Sequence, residues 1–159
     1  MPIIKLQTKI KAEKSIVFDL SRSIDLHKIS TKETKEEAVA GRTKGLIAMG
    51  EFVTWRAKHM GVYQKLTSRI TAFDRPNYFM DEMEQGAFKE FKHKHYFRYT
   101  KKRETLMIDC FEYKAPLGIL GKLADILFLK KYMTNLLKKR NNIIKSVAES
   151  NEWKELLVL

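Results

Sequence analysis

The stretch EFKHKHYFRY, residues 90–99, carries two histidines two positions apart, His93 and His95, with a lysine between them and aromatics on either side. On a strand, same-face residues two apart have Cα atoms about 6.5–7 Å apart, so both rings can reach one atom. With a carboxylate from Asp109, Asp81 or Glu51, the pair has the donors for a metal ion with an open position. A buried imidazole beside a carboxylate can also move protons near neutrality, which makes His95, His93 and Asp109 the catalytic candidates. In the third chemistry both rings are hydrogen-bonded to Asp109 and its neighbours and shape a polar cavity wall. His-x-His alone is a weak metal signal, so this third reading is carried forward, with no metal and no cofactor expected. Cys110 falls on the opposite parity to Asp109, which argues against a Cys-His nucleophile.

Strand parity orients the pair. On 90–99 the odd positions are Phe91, His93, His95, Phe97 and Tyr99, and the even ones carry four charges. Charges cannot be buried unpaired, so the odd face is interior. The same argument turns Val53, Trp55 and Ala57 inward, with Glu51 and His59 on their face. It also turns in Gln64, Leu66, Ser68 and Ile70, and then Phe79, Asp81 and Met83. Over 105–113 the parity is ambiguous. If the hairpin about Lys102 sets His95 opposite Asp109, then Met107, Asp109, Phe111 and Tyr113 face in. Leu106, Ile108 and Cys110 then form an outward apolar strip suited to a homodimer contact. The expected ligand-binding set is therefore Glu51, Trp55, His59, Ser68, Asp81, Met83 and Phe91, then His93, His95, Phe97, Tyr99, Asp109 and Phe111. So many ionisable groups suit a wet ligand pocket better than a dry core.

The elements that must position these residues follow from periodicity. Residues 3–11 alternate as a half-buried strand. SIVFDLSRS and IDLHKIS read as short helices, and 31–45 as a loop with a short strand around Ala38 to Arg42. Between Gly50 and Pro116 the texture is strand-like, broken at 59–62, 74–77, near Gly86 and at 101–104, which makes an antiparallel meander. From 117 to about 149 apolar residues recur at gaps of three and four, predicting a long amphipathic helix. The fold class is α+β: one curved antiparallel sheet wrapped around a long C-terminal helix, with two short helices.

Several stretches, "VFDLSRSIDLH" (17–27), "GEFVTWRAKHMGVYQKLTSRI" (50–70), "FKHKHYF" (91–97) and "TLMIDCFEYKAPLGILGKLAD" (105–125) among them, resemble the START-like, or Bet v 1-like, SRPBCC superfamily. The likeness is strongest to its bacterial polyketide cyclase/dehydrase-like branch. It covers nearly the whole chain and implies a helix-grip fold with a cavity between sheet and helix. In relatives that cavity holds lipids, sterols, hormones or polyketides, and some relatives catalyse cyclisation or hydrolysis in it. The branch implies no defined reaction. Residues 1–150 are read as the ligand-binding domain and 151–159, NEWKELLVL within 151–159, as an apolar tail: a lid, a dimer contact or a loose end.

Composition bounds the rest. The chain has 159 residues with 31 Lys+Arg against 19 Asp+Glu, a formal net charge of +12, and one cysteine. One cysteine excludes an internal disulfide and the multi-cysteine zinc modules. No apolar run approaches the roughly 20 residues a membrane-spanning helix needs, and no secretory leader is legible at the N-terminus, so the expected compartment is the cytoplasm. The basic residues are scattered, with Glu82, Glu84 and Glu90 among them, which argues against a nucleic-acid stripe. The run LKKRNNIIK reads as a solvated helix face. The expected function is binding of a small, partly hydrophobic or amphipathic ligand, lipid-, polyketide- or aromatic-like. The alternative is a cyclase- or hydrolase-type enzyme with a cavity histidine as acid/base.

Overall fold

The computed structural model describes residues 1–115 and 128–158. Seven strands make one antiparallel sheet: β1 (Ile3–Ile10), β2 (Glu37–Gly41), β3 (Phe52–His59), β4 (Val62–Asp74), β5 (Tyr78–Gln85), β6 (Glu90–Lys101) and β7 (Glu104–Lys114). Their order is β1-β7-β6-β5-β4-β3-β2, so the meander from β2 to β7 is closed by β1 returning to its far edge. The breaks read from the sequence coincide with the hairpins. Register shifts at 38/40, 67/68, 70/72 and 99/101 are sites where one strand gains a residue and bends.

Between β1 and β2 lie α1 (Lys14–Ser21) and α2 (Ile24–Ser30). Ser23 caps α2, its hydroxyl accepting from Leu26 N at 3.1 Å, which satisfies one of the donors a helix start leaves free. Asp19 of α1 holds the β4–β5 turn through Arg75, with Nη2 to Oδ2 at 2.6 Å.

The long helix α3 is seen as Lys130–Glu149, about 30 Å at 1.5 Å per residue. The part of the expected helix at 117–127, with Pro116 before it, lies outside the described residues. α3 packs against β1, α1 and α2. Its buried positions are Leu137, Arg140, Asn141, Ile144, Val147 and Ala148, the spacing of a single helical stripe. The expected solvated face at LKKRNNIIK is therefore corrected at its centre, because Arg140 and Asn141 occupy core positions of that stripe.

The core falls into two clusters. One joins Phe18 to Phe73, Phe79 and Phe97 by edge-on contacts with ring centroids 5.2–5.3 Å apart. The other gathers Phe91, Phe111 and Tyr113 with Leu137. A last short helix, α4 (Trp153–Leu156), sets Trp153, Leu156 and Leu157 against the first cluster beside α1. The apolar tail thus packs on its own chain. Over β7 the inward set is Met107, Asp109, Phe111 and Tyr113. Ile108, on the outer face, is only 8% exposed between Gln7 and Tyr96 in register, so the centre of the outward strip is covered within the chain, while Leu106 and Cys110 on either side are half-buried.

Candidate functional site: a two-ended cavity between sheet and helix

A cavity of about 490 Å³ lies between the concave sheet and α3, within the roughly 300–1,000 Å³ usual for small-molecule sites. Its walls are mostly apolar. Val53, Trp55, Leu66, Ile70, Phe79, Phe91 and Phe111 come from the sheet, Ile24 from α2, and Met133, Leu136 and Leu137 from α3. Met60, in the β3–β4 hairpin, also lines it and is 64% exposed.

The inner end is polar. His93 and His95 sit side by side with ring centroids 3.8 Å apart, and Phe79 stacks on His95 at 4.1 Å. In register, Asp81 stands opposite His93 and Asp109 opposite His95. Each ring nevertheless bonds diagonally: His93 Nε2 to Asp109 Oδ1 at 3.0 Å, and His95 Nε2 to Asp81 Oδ1 at 3.1 Å. Diagonal neighbours in a sheet are within reach of long side chains, and here the diagonal knits β5, β6 and β7 together.

Asp109 is fully buried beneath the cavity floor. Its second oxygen accepts from Asn141 Nδ2 at 2.7 Å, and Arg140 Nη1 lies 3.4 Å from the first. Arg140 also donates to Asn141 Oδ1 at 3.0 Å and to the Ser21 carbonyl at 3.1 Å. Burial alone would raise the Asp109 carboxyl. The two histidines and the Arg140 cation overcome it and hold the group well below the usual carboxylate range. Asp81 is held low in the same sense: burial opposes ionisation, and the His95 hydrogen bond and the nearby His93 outweigh it. Burial and the adjacent His95 push His93 down to about 4, against the pull of Asp109, so the ring is neutral at pH 7. His95 Nδ1 lies 3.1 Å from Asp109 Oδ1 and makes no hydrogen bond of regular geometry among the described residues.

A second polar group stands at the other end. His27 Nε2 meets Glu36 Oε1 at 3.1 Å, and His59 Nδ1 meets the Tyr132 hydroxyl at 2.7 Å. His27 packs on Trp55 with centroids 4.3 Å apart. Burial would raise Glu36, but His27 draws it below its ordinary value. All four histidines of the chain line this one cavity.

Of the expected ligand-binding residues, Trp55, His59, Ser68, Asp81, Phe91, His93, His95 and Phe111 line the cavity. Five stand elsewhere. Glu51 turns outward, where it accepts from Ala48 N and Arg42 Nε, because the chain bends just before β3. Tyr99 is 51% exposed and donates to Glu13, since β6 runs past the end of the core. Phe97 is consumed by the Phe18 cluster and Met83 packs with the second cluster. Asp109 lies behind the lining and acts through the histidines. Sequence reasoning missed Arg140, Asn141, His27, Glu36 and Tyr132. A signal existed for two: positions 140 and 141 fill the gap between Leu137 and Ile144 in the apolar stripe.

Among the described residues, Asp81, His93 and His95 are the group whose ligand atoms, all within 4.8 Å of one another, match a metal donor set.

No protein-family model and no curated protein matches the sequence. Solved structures do match. The Zhui aromatase/cyclase from Streptomyces sp. R1128 superposes with a TM-score of 0.73 at 12% identity, covering 93% of this chain and 93% of that one. A START superfamily protein from Mycobacterium smegmatis gives 0.70 at 11% identity, over 92% and 97% of the two chains. Ginseng major latex-like protein 151 from Panax ginseng gives 0.67 at 15% identity, over 94% and 98%. The architecture is the helix-grip fold that the sequence resemblance implies. No helix among the described residues is long and apolar enough to cross a membrane.

Proposed function

We propose that this protein binds one small, partly apolar ligand in the cavity between the sheet and α3. The observation that carries the reading is the cavity itself: about 490 Å³ with an apolar waist and polar groups at both ends. That is the form expected of a site that buries a hydrophobic body and orients its hydrogen-bonding termini. Trp55, Phe91 and Phe111 supply contact area. Asp81 and His95 take the inner terminus of the ligand, and His27, Glu36, His59 and Tyr132 face the outer one.

A cyclase- or hydrolase-type enzyme is the second reading, favoured by the four histidines that line one cavity. A general base must turn a nitrogen toward its substrate. His93 and His95 each commit Nε2 to a carboxylate, which makes them walls before it makes them bases.

The test is a titration with an anilinonaphthalene sulfonate dye, whose emission rises in apolar surroundings. Wild-type protein takes up one dye per chain, and Ser68→Phe, which adds a ring to the cavity wall, loses that uptake while keeping its circular dichroism. Equal uptake by both proteins defeats the reading. A dye-binding His95→Ala variant that loses turnover of an aromatic or polyketide-like substrate by orders of magnitude moves the protein to the second reading.

A further inference from the structure

The inner end of the cavity has more order than a hydrogen-bonding wall requires. Two ligands each about 2.0–2.2 Å from a metal ion stand roughly 3.0–3.5 Å apart at tetrahedral or octahedral angles. His95 Nε2 and Asp81 Oδ1 are already 3.1 Å apart, the edge of such a polyhedron. A ring nitrogen of His93 completes a set of three within 4.8 Å. The register produces this set: Asp81 is opposite His93, and His95 is two residues further along the same strand face.

The surroundings match what metal-ligating histidines need, since such rings nearly always give their other nitrogen to a carboxylate that fixes orientation. Asp109 holds one ring by a hydrogen bond and stands 3.1 Å from the other. It bonds His93 through Nε2, which leaves Nδ1 as the donor atom of that ring. It also faces the otherwise unpartnered His95 Nδ1 at 3.1 Å, leaving His95 Nε2 on the Asp81 side. Asp109 is itself anchored from α3 by Asn141 and Arg140. Arg140 balances the Asp109 charge, so the negative charge of Asp81 is left for a cation.

We infer that Asp81, His93 and His95 form a divalent transition-metal site at the inner end of the cavity, oriented by Asp109. Two imidazoles and one carboxylate suit zinc, cobalt, iron or nickel rather than calcium or magnesium. The ion takes the place of the proton between His95 Nε2 and Asp81 Oδ1, and the neutral ring keeps its one proton on Nδ1, facing Asp109. Three protein ligands leave coordination positions open toward the cavity. The sequence-based expectation of no metal weighed the pair with a carboxylate from Asp109, Asp81 or Glu51 and set it aside as a weak signal in a family that implies no metal; the register places Asp81 beside the pair.

The site shares Asp81 and His95 with the inner end of the proposed ligand cavity, but its test needs no organic ligand, so the two readings fail separately. Full-length protein stripped with a chelator is titrated with cobalt(II) chloride. One equivalent binds, with a visible spectrum free of thiolate charge transfer, and proton NMR shows two paramagnetically shifted, exchangeable imidazole N–H signals, one from each ring held by Asp109. His95→Gln and Asp81→Asn weaken binding at least about 100-fold. Asp109→Asn weakens it about 10–100-fold, the range for groups that orient ligands. Cys110→Ser, outside the cavity, binds as the wild type does. The NMR signals are read on wild type, so the test survives a variant that fails to fold. Absence of stoichiometric cobalt binding, unchanged binding in folded Asp81→Asn, or loss of binding in Cys110→Ser overturns the inference.

Discussion

Asn141 donates to Asp109 at 2.7 Å across thirty-two residues of chain, joining the inward face of α3 to β7, the neighbour of the edge strand β1. With Arg140 it gives the helix a polar grip on the strand that carries the cavity floor. Helix packing and the orientation of the histidine pair therefore share one carboxylate.

Breaking this grip from the helix side will be costly. Arg140→Met leaves Asp109 charged and short of a partner, and removing one member of a buried ion pair costs about 3–5 kcal/mol. Asn141→Leu strands one carboxylate oxygen, at about 1–3 kcal/mol. Urea unfolding of both variants against wild type measures the two losses, and the order Arg140→Met above Asn141→Leu is expected.

Acid will act on the α1 anchor. Burial opposes ionisation of Asp19, but Arg75 and Arg22 hold its carboxyl below the ordinary value of 3.8. The unfolded chain therefore takes up this proton first as pH falls. The stabilisation is complete above the unfolded value and is lost as pH drops through the folded one. Asp19→Asn should destabilise most near neutrality and progressively less below about pH 4, as read from unfolding midpoints across a pH series.

Ligand occupancy should be visible in one fluorophore. Trp55 and Trp153 are the two tryptophans, and only Trp55 lines the cavity. Trp153→Phe is expected to keep the emission change that accompanies dye uptake, and Trp55→Phe to lose it, in a fluorescence titration of both variants.

The tail should matter for stability and leave binding alone. Trp153 is half-buried against the α1 cluster, and full burial of a large apolar side chain is worth about 1.5–3 kcal/mol. Trp153→Ala is expected to lose roughly half of that in urea unfolding, with dye affinity unchanged.

How far the sequence could see depended on the range of the signal. Alternation along β6 and β4 is local, and it oriented His93, His95, Leu66 and Ser68 correctly. The pairing of His95 with Asp109 followed from a short hairpin. Asp81 was turned inward, but its place beside the histidines is set by the β5–β6 register across the 86–89 turn, which no local pattern reveals. Glu36 came from a polar loop with no periodicity, so nothing marked it. Arg140 and Asn141 were hidden differently: their positions fit the apolar stripe, while their chemistry suggested solvent. Glu51 and Tyr99 failed because parity was extended past the points where the strand leaves the core.

The central claim is that the cavity takes up a small, partly apolar molecule. Native mass spectrometry of the purified protein, before and after extraction with organic solvent, tests it most directly. The account predicts a stoichiometric organic adduct that solvent removes, and its absence from Ser68→Phe prepared in parallel. Identical bare-chain spectra for both proteins, with no adduct even after incubation with excess dye, would contradict it.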